Sequence, residues 1–205
     1  MTSNNILVTG FGPFGEHKVN ASWEAVKLLP QFKFDDSNVI VREIPVLYKY
    51  IDEEIPILWK IYNPKLVVHV GVSSYAKDLT LETQAFRIGY LQRDCQSNLH
   101  LTGEICSIKQ GKDCIQSALD IGKICKNVNA NNKVKTQPST NAGRYLCEFV
   151  FYKSLNIDSS RTLFIHVPPI GKPYSAEELA SGIAETINCA LEQLDEQATV
   201  ETARL

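Results

Sequence analysis

Short apolar runs and amphipathic stretches alternate along the chain. The apolar runs, which are typical of buried strands, cover residues 6–9, 39–46, 66–71 and 162–167. Apolar residues at a helical spacing occupy the stretches at residues 22–29, 50–62, 118–128 and 179–194. Strands that alternate with helices predict one α/β domain with a largely parallel sheet that is buried on both faces.

Local signals refine the predicted helices and loops. Ser22 is the candidate N-cap of the first helix, and Ser175-Ala176-Glu177-Glu178 forms a capping box at the start of the last. Pro56 interrupts the second helical stretch and predicts a late start or a kink there. Residues 91–113 lack a regular period and are expected to form loops, and the C-terminal tail, about residues 196–205, is expected to fray.

Length and composition favour one domain and argue against several classes of partner. The chain has 205 residues, of which 44% are hydrophobic and 21% charged, so we predict a single domain over residues 1–205. The net charge is −2 and there is no basic block, which argues against nucleic acid or an anionic membrane as a partner. The N-terminus lacks the basic region of a signal peptide, and no apolar run approaches the roughly 20 residues that span a bilayer. A soluble, cytoplasmic protein is therefore expected.

Six cysteines are present, at positions 95, 106, 114, 125, 147 and 189, and none of them forms a C-x-x-C pair. Without an export signal they are expected to be reduced thiols. Cys95, Cys106 and Cys114 cluster with His100, but their spacing lacks the paired ligands of zinc sites. We therefore predict no metal site in this cluster.

The segment from Asn141 to Phe149 combines a small, glycine-containing turn with an apolar stretch that begins near Cys147. If the stretch is a helix, Cys147 lies in its first turns, where unpaired N–H groups and the helix dipole favour a thiolate. Nineteen residues on (166 − 147), His166 lies within an apolar, strand-like run. A cysteine at a helix start and a histidine at a strand end outline a Cys–His nucleophile pair. On spacing alone, however, the favoured interpretation is a packed core cysteine and a core histidine.

Two further polar residues lie within apolar, strand-like runs. Glu82 is the only carboxylate in the loosely alternating, strand-like stretch at residues 79–88, and a buried carboxylate needs a partner, which His166 could provide. The alternative, which the sequence alone favours, is a strand residue that faces solvent. His69 lies near the end of the third strand-like run, and such a lone histidine is more often structural.

The segment from Gly10 to Gly15 matches the dinucleotide-binding pattern G-x-G-x-x-G after a strand. In that pattern a helix begins within the motif and meets the pyrophosphate, whereas here Pro13 and Phe14 fill the motif and the first helix starts later. The segment fits better as a stiff loop that presents Phe11 and Phe14 at the carboxyl end of a strand, where open α/β sheets bind ligands. Such flat apolar walls suit an uncharged planar group; alternatively, both rings belong to the core.

Six sequence blocks occur in the same order in a known family. They are Val8-Thr9-Gly10-Phe11-Gly12-Pro13-Phe14-Gly15, Val19-Asn20-Ala21-Ser22-Trp23, Val67-Val68-His69-Val70-Gly71, Leu79-Thr80-Leu81-Glu82, Ala142-Gly143-Arg144-Tyr145-Leu146-Cys147 and Phe164-Ile165-His166-Val167-Pro168-Pro169. With these blocks the chain resembles pyroglutamyl-peptidase type I, a family of intracellular cysteine peptidases, and looks most like its animal members. Asn141 departs from the aspartate that close relatives can have, and residues 91–113 fit the family poorly.

The resemblance implies both a fold and a catalytic site. By this match Cys147 is the nucleophile, His166 the acid–base and Glu82 the third catalytic residue. The implied fold is a single-domain three-layer α/β/α sandwich of the phosphorylase/hydrolase-like type, with a mostly parallel, mixed central sheet and no metal or cofactor. The match places the domain core at about residues 6–192.

The implied reaction is removal of an N-terminal pyroglutamyl residue from peptides through a thioester intermediate. The implied substrate-binding residues are Phe11, Phe14, Asn20 and Val72. The two rings would line the pocket for the lactam ring, and Val72 would offer that ring backbone hydrogen bonds. Two other hypotheses remain open: a non-catalytic pyroglutamyl-peptide-binding protein of the same fold and, ranked third, a dinucleotide-binding oxidoreductase. The sequence leaves the choice between a monomer and a homo-oligomer undecided.

Overall fold

The computed structural model describes residues 3–15, 18–99 and 111–202. Its strands are β1 (Asn5–Phe11), β2 (Asn38–Ile44), β3 (Leu66–Val72), β4 (Leu79–Glu82), β5 (Gln84–Phe86), β6 (Cys114–Gln116), β7 (Thr136–Ser139) and β8 (Thr162–Val167). Its helices are α1 (Ala21–Val26), α2 (Tyr48–Tyr62), α3 (Ile121–Asn131), α4 (Leu146–Ile157) and α5 (Ala176–Thr202), with short 3-10 turns at Leu29–Gln31 and Ser159–Arg161.

Six of the described strands form one central sheet, in the order β2-β1-β3-β8-β4-β7. The strands β2, β1, β3 and β8 run parallel, whereas β4 pairs antiparallel with β8, and β7 runs parallel to β4. The short strands β5 and β6 pair separately and antiparallel. The sheet is therefore mostly parallel but mixed, as predicted.

Helices cover both faces of this sheet because its inner strands are apolar on both sides. In β1, Ile6 and Val8 belong to an apolar layer shared with α1, α3 and α5. Their neighbours Leu7 and Phe11 point the other way and belong to a second layer, shared with α2 and α4. The predicted single-domain, three-layer α/β/α arrangement is confirmed.

Side-chain caps start the first and last helices. Asn20, not the predicted Ser22, caps α1: its backbone is extended, as an N-cap requires, and its side-chain oxygen accepts from Ser22 N at 3.0 Å. The Ser22 hydroxyl oxygen is instead engaged by Phe11 N, at 3.0 Å. The predicted capping box of α5 is present, since Ser175 Oγ accepts from Glu178 N at 3.2 Å and a Glu178 carboxylate oxygen accepts from Ser175 N at 2.9 Å.

Pro56 lies inside α2, and the helix begins at Tyr48 without the late start that the sequence allowed. Because Pro56 is exposed, water can satisfy the carbonyl that loses its helical partner. The expectation of loops holds for residues 91–99 and 111–113, whereas residues 100–110 lie outside the described part of the chain.

The C-terminal helix continues further than expected. Residues 196–202 are helical instead of frayed, and residues 203–205 lie outside the described ranges. Extension of an existing helix is favourable because each added residue closes one more backbone hydrogen bond. An ion pair of 2.7 Å between Lys123 and Glu196 also holds this exposed end against α3. Among the described helices, none is both long enough and apolar enough to cross a membrane.

The strand register arranges the side chains beneath α4 in two neighbouring rows. One row contains Gly71, His166 and Thr80. The next row contains Thr9, His69, Phe164 and Glu82. The polar residues that the sequence analysis singled out in the strands therefore lie together on one face of the sheet.

Candidate active site

Cys147 lies where the chain turns from a loop into α4. It is the second residue of the helix, after Leu146 and the extended N-cap Tyr145. The first backbone bond of the helix runs from Phe149 N to Tyr145 O at 2.9 Å. The N–H groups of Leu146 and Cys147 therefore precede the helical pattern, and the helix itself supplies them with no acceptor. Together with the helix dipole, they favour negative charge on the sulfur or on a group bound beside it.

Gly71 of β3 faces the sulfur at close range. A Cβ at this position would lie 2.6 Å from Cys147 Sγ and 3.0 Å from Phe164 Cζ, so one of these groups would have to move. His166 is the register partner of Gly71 in β8. The absence of a side chain at Gly71 thus allows the sulfur to approach the imidazole.

His166 lies between a carboxylate and the thiol. Its Nδ1 is 2.8 Å from Glu82 Oε1, and the ring also forms a hydrogen bond with Cys147. Glu82 is only 1% exposed, so the solvent-facing alternative is wrong: the sheet is covered on the face to which this side chain points. Its second oxygen, Oε2, has no hydrogen-bond partner within the described ranges. Compensation of the Glu82 charge therefore depends on the imidazole.

The imidazole of His166 is more basic than an ordinary histidine. Burial lowers its pKa, but the hydrogen bonds and charges of Cys147 and Glu82 together outweigh burial and raise it to about 9. The ring therefore carries a proton at neutral pH. A protonated imidazole next to the sulfur stabilises a thiolate, the nucleophilic form of cysteine.

A buried salt bridge holds the loop before Cys147. Gly143 and Arg144 have φ values of +98° and +55°, in the left-handed region that residues other than glycine rarely adopt. The buried carboxylate of Glu148 accepts from Arg144 N at 2.8 Å and from Phe86 N at 2.9 Å, and it pairs with the Arg144 guanidinium at 2.5 Å. The guanidinium also lies 4.0 Å from the centre of the Phe86 ring. These contacts tie the loop to α4 and β5 and fix the backbone that leads to Cys147.

A cavity of about 340 Å³ opens beside Cys147 on the β1 side of the site. Its walls include Phe11, Phe14, Asn20 and Val72, the residues for which the resemblance implies substrate binding. Phe11 is buried and belongs to the core as well as to the cavity wall, whereas Phe14 is half-buried. Among the described residues, no Asp, Glu, Lys, Arg or His lines this cavity. It therefore suits a compact, uncharged group.

Asn20 shapes this cavity through the loop that follows β1. Its Nδ2 donates to Gly12 O at 2.9 Å, and its Oδ1 accepts from Ser22 Oγ at 2.8 Å in addition to the capped backbone N–H. Because both ends of the amide are engaged, the side chain is held in one orientation and ties the loop to α1.

A larger cavity, of about 880 Å³, extends from Cys147 in the other direction, toward β4 and β7. Glu82 and His166 line it, and the remaining lining residues in the described ranges are uncharged. The two cavities share Val72, Ser74, Tyr75, Gln92, Tyr145 and Cys147. The sulfur therefore lies where the cavities meet, and a molecule that crosses it can occupy both.

The glycine-containing loop after β1 lacks the geometry of a dinucleotide site. Helix α1 begins only at Ala21, so no helix N-terminus lies within the segment from Gly10 to Gly15. Gly10 instead allows α1 to pack closely, since a Cβ there would be 2.9 Å from Trp23 Cα.

The described cysteines are all free thiols, namely Cys95, Cys114, Cys125, Cys147 and Cys189. Cys106 and His100, two members of the cluster considered as a metal site, lie outside the described residues. Within the described ranges, no group of three or more His, Cys, Asp or Glu side chains is arranged to hold a metal ion.

Gly71, Arg144 and Glu148 contribute to the site although the sequence pattern indicated no role for them. For Glu148 a signal was present, because it is a charged residue inside an otherwise mostly apolar helix, and such a residue needs a buried partner. For Gly71 and Arg144 the role depends on what packs against them, which the pattern of residues does not specify.

Known proteins resemble this chain over almost its entire length. The pyroglutamyl peptidase family matches residues 4–200. Pyroglutamyl-peptidase 1 of Homo sapiens is 43% identical over 194 residues, which cover 93% of this chain and 91% of that protein. Pyrrolidone-carboxylate peptidase of Thermococcus onnurineus is 30% identical over 193 residues, which cover 91% of this chain and 94% of that protein.

Solved structures share the fold. The crystal structure of Bacillus amyloliquefaciens pyroglutamyl peptidase I aligns with a TM-score of 0.81 at 25% identity, covering 91% of this chain and 96% of that chain. A mutant pyrrolidone carboxyl peptidase from the hyperthermophile Pyrococcus furiosus gives a TM-score of 0.84 at 27% identity, covering 93% and 99% of the two chains.

We predict that Gly71→Ala slows alkylation of Cys147 by iodoacetamide roughly tenfold or more, because the new methyl group displaces the sulfur from His166. The rate is measured by mass spectrometry of the folded protein. Gly122→Ala is the matched control: its Cβ would come no closer than 3.4 Å to another group, Asp120 Oδ1, on the exposed side of α3. An unchanged alkylation rate in folded Gly71→Ala would contradict the close contact.

We also predict that the His166 ring titrates near pH 9 in an NMR titration, and that Glu82→Gln lowers this pKa. The amide keeps a hydrogen bond but removes the charge that favours the protonated ring. His69, whose burial lowers its pKa to about 3, is the internal control and should stay neutral.

The raised pKa of His166 has a consequence for stability. Because it rises from 6.5 to about 9 on folding, the stabilisation is complete below pH 6.5 and is lost as the pH rises to about 9. In Glu82→Gln this loss should be smaller, as measured by urea unfolding at several pH values. A His166 ring that titrated near 6.5 in the unsubstituted protein would contradict both expectations.

Proposed function

The chain belongs to the pyroglutamyl peptidase family, and we propose that Cys147, His166 and Glu82 carry out its reaction. As a member of this family it is a cysteine-type omega-peptidase that removes the N-terminal pyroglutamyl residue from peptides. One observation supports the proposed roles above all. The three side chains form one hydrogen-bonded series at the point where two cavities meet.

The substrate lies across the sulfur in this proposal. Its lactam ring occupies the cavity of about 340 Å³, between Phe11 and Phe14, where no charged side chain of the described residues is present. The ring is uncharged and planar, so apolar walls and backbone hydrogen bonds near Val72 are sufficient to recognise it. The rest of the peptide extends into the cavity of about 880 Å³.

The first chemical step uses the protonated ring of His166. It stabilises the Cys147 thiolate, which attacks the carbonyl carbon of the amide that follows the lactam ring. Negative charge then develops on the carbonyl oxygen, and the N–H groups at the start of α4, including that of Cys147, stabilise it. Removal of one such donor typically costs roughly 3–4 kcal/mol in the transition state.

The second step returns the proton and completes hydrolysis. His166 donates its proton to the leaving amine, and the acyl group remains on the sulfur as a thioester. A water molecule, deprotonated by His166, then attacks the thioester and releases pyroglutamate. The Glu82 carboxylate orients the ring through Nδ1 and stabilises the imidazolium when that forms.

Family membership favours the enzyme over the non-catalytic binder, because relatives named pyroglutamyl-peptidase 1 and pyrrolidone-carboxylate peptidase match almost the whole chain. The oxidoreductase hypothesis loses its basis, since no helix begins within the segment from Gly10 to Gly15. Peptides with an N-terminal pyroglutamate are accordingly the substrates. A cytoplasmic location and the lack of nucleic-acid, membrane and cofactor partners stay predictions from the sequence.

We predict that Cys147→Ser lowers kcat for release of a fluorophore from a pyroglutamyl amide by at least roughly a thousandfold, because a hydroxyl is far less ionised than a thiol. Circular dichroism and thermal unfolding should show an intact fold. Cys95→Ser, at an exposed thiol, is the matched control and should keep most of the activity. Turnover by folded Cys147→Ser at a rate close to that of the unsubstituted enzyme would remove the nucleophile assignment.

We further predict that Phe14→Ala raises KM for the same amide roughly tenfold, because the lactam cavity loses one apolar wall. Alkylation of Cys147 by iodoacetamide, which needs no lactam pocket, should change little. Val19→Ala, on the same loop at a side chain that is 59% exposed and does not line the cavity, is the control. Equal losses of catalysis and of alkylation in Phe14→Ala would show that the ring supports the fold and not the substrate.

A further inference from the structure

Four buried polar side chains form a series of hydrogen bonds between the sheet and two of its covering helices. Thr9 Oγ1 is 2.7 Å from His69 Nδ1, and His69 Nε2 is 2.7 Å from Ser154 Oγ. Ser154 Oγ also accepts from Trp59 Nε1 at 3.0 Å. The first three of these residues are 0% exposed. The series links β1, β3, α4 and α2, and the proposed reaction makes no direct use of it.

Two members of this series share a face with the cysteine and the glycine of the site. Ser154 follows Cys147 in α4 by seven residues (154 − 147), or about two helical turns, so both face the sheet. His69 precedes Gly71 in β3 by two residues (71 − 69), so both face α4. The helix therefore meets the strand at two places, with Cys147 on Gly71 and Ser154 on His69.

We propose that His69 is a positioning residue. Through its hydrogen bond with Ser154 it fixes the position of α4 along the direction of β3. This position in turn determines where Cys147 Sγ lies relative to His166. The contact at Gly71 is steric and limits only how closely the sulfur approaches the strand. The hydrogen bond between His69 and Ser154 is directional and favours one position of the helix along the strand. The apolar packing around it holds the helix against the sheet but is non-directional, so the bond adds a directional constraint that the hydrophobic effect lacks. This inference rests on the proposed role of Cys147.

The surroundings of the His69 ring suit a purely geometric role. Thr9 is its register partner in the neighbouring strand β1 and contacts Nδ1, whereas Ser154 of α4 contacts Nε2. Both ring nitrogens meet hydroxyl groups, and burial lowers the pKa of His69 to about 3, so the ring is neutral at physiological pH. A neutral imidazole has one donor and one acceptor nitrogen, which matches one hydroxyl on each side. His69 therefore keeps the same protonation state throughout the reaction.

The first test compares two substitutions at the helical end of the series. Ser154→Ala removes the bonds to both His69 and Trp59, whereas Trp59→Phe removes the bond between Trp59 and Ser154, keeps the bond to His69 and leaves an aromatic ring under the Arg161 guanidinium. We expect Ser154→Ala to lower kcat for a pyroglutamyl amide roughly tenfold, with KM changed by less than about twofold, because the reacting atoms are misplaced while the lactam cavity is intact. The alkylation rate of Cys147 should fall in parallel. Trp59→Phe should keep kcat within about twofold.

The second test distinguishes the contributions of the two ring nitrogens of His69. His69→Gln places an amide near the position of Nε2 and can keep the bond to Ser154, whereas His69→Asn places one near Nδ1 and keeps only the bond to Thr9. We expect His69→Gln to retain most of kcat and His69→Asn to lose about as much as Ser154→Ala. In the double variant His69→Asn/Ser154→Ala the losses should not add, because both substitutions remove the same bond.

Two results would contradict these expectations. If folded Ser154→Ala and His69→Asn keep kcat and the alkylation rate and lose only thermal stability, the inference is overturned and the series merely stabilises the fold. Equal losses of kcat in Trp59→Phe and Ser154→Ala would overturn it as well. If His69→Asn fails to fold, Ser154→Ala decides alone, since alanine is compatible with a helix. Full activity of Cys147→Ser would instead overturn the nucleophile assignment, whatever the His69 variants show.

Discussion

The site depends on how closely the first turn of α4 approaches β3. At Gly71 the strand has no side chain, and the Cys147 sulfur lies 2.6 Å from the point that a Cβ would occupy. His166 is the neighbour of Gly71 in the next strand, so this approach brings the thiol and the imidazole together. A displacement of the helix by the thickness of one methyl group would take the sulfur out of hydrogen-bonding range. Three features act on the distance between α4 and β3. They are the apolar layer beneath α4, the hydrogen bond between His69 and Ser154, and the contacts of Glu148 with Arg144.

Two buried carboxylates near α4, Glu148 and Glu82, differ in how completely their oxygens are hydrogen-bonded. Glu148 is fully engaged: it accepts from two backbone N–H groups and pairs with Arg144. Such a satisfied carboxylate stabilises one loop conformation and has no remaining capacity to react. In Glu82, by contrast, Oε1 forms a hydrogen bond with His166, and Oε2 has no hydrogen-bond partner among the described residues. A buried carboxylate with an unpaired oxygen raises the free energy of the folded state. A protonated imidazole beside it reduces this cost, so the carboxylate favours the protonated form of His166.

Much of the fold and part of the site can be predicted from the sequence, because they depend on local periodicity. The apolar runs locate the inner strands, and the alternation with helices indicates a covered, mostly parallel sheet. The same reasoning places Cys147 at a helix start and His166 in a strand. The resemblance to a family then assigns chemistry to these positions, a step that periodicity alone does not support.

What the sequence did not predict depends on tertiary contacts. Burial of Glu82 follows from the covering of β4, and the need for glycine at position 71 follows from the approach of a helix that is distant in the sequence. Asn20 and Ser22 are both good caps, and the choice between them depends on the backbone conformation at Asn20 and on the engagement of the Ser22 hydroxyl with Phe11. The apolar pattern of α5 ends near Leu194, but the helix continues to Thr202. Backbone hydrogen bonds and an ion pair with α3 stabilise this extension, and neither leaves a periodic apolar pattern in the sequence.

The uncharged walls of the cavity that we propose for the lactam ring also affect how a substrate arrives. Electrostatic steering speeds the association of charged ligands with charged clefts, and it weakens steeply as salt screens the charges. The described walls of this cavity carry no charged side chain, and the whole chain has a net charge of only −2. In the proposed binding mode, entry of the lactam ring into this cavity therefore depends on the fit of the ring and not on electrostatic steering by the cavity walls.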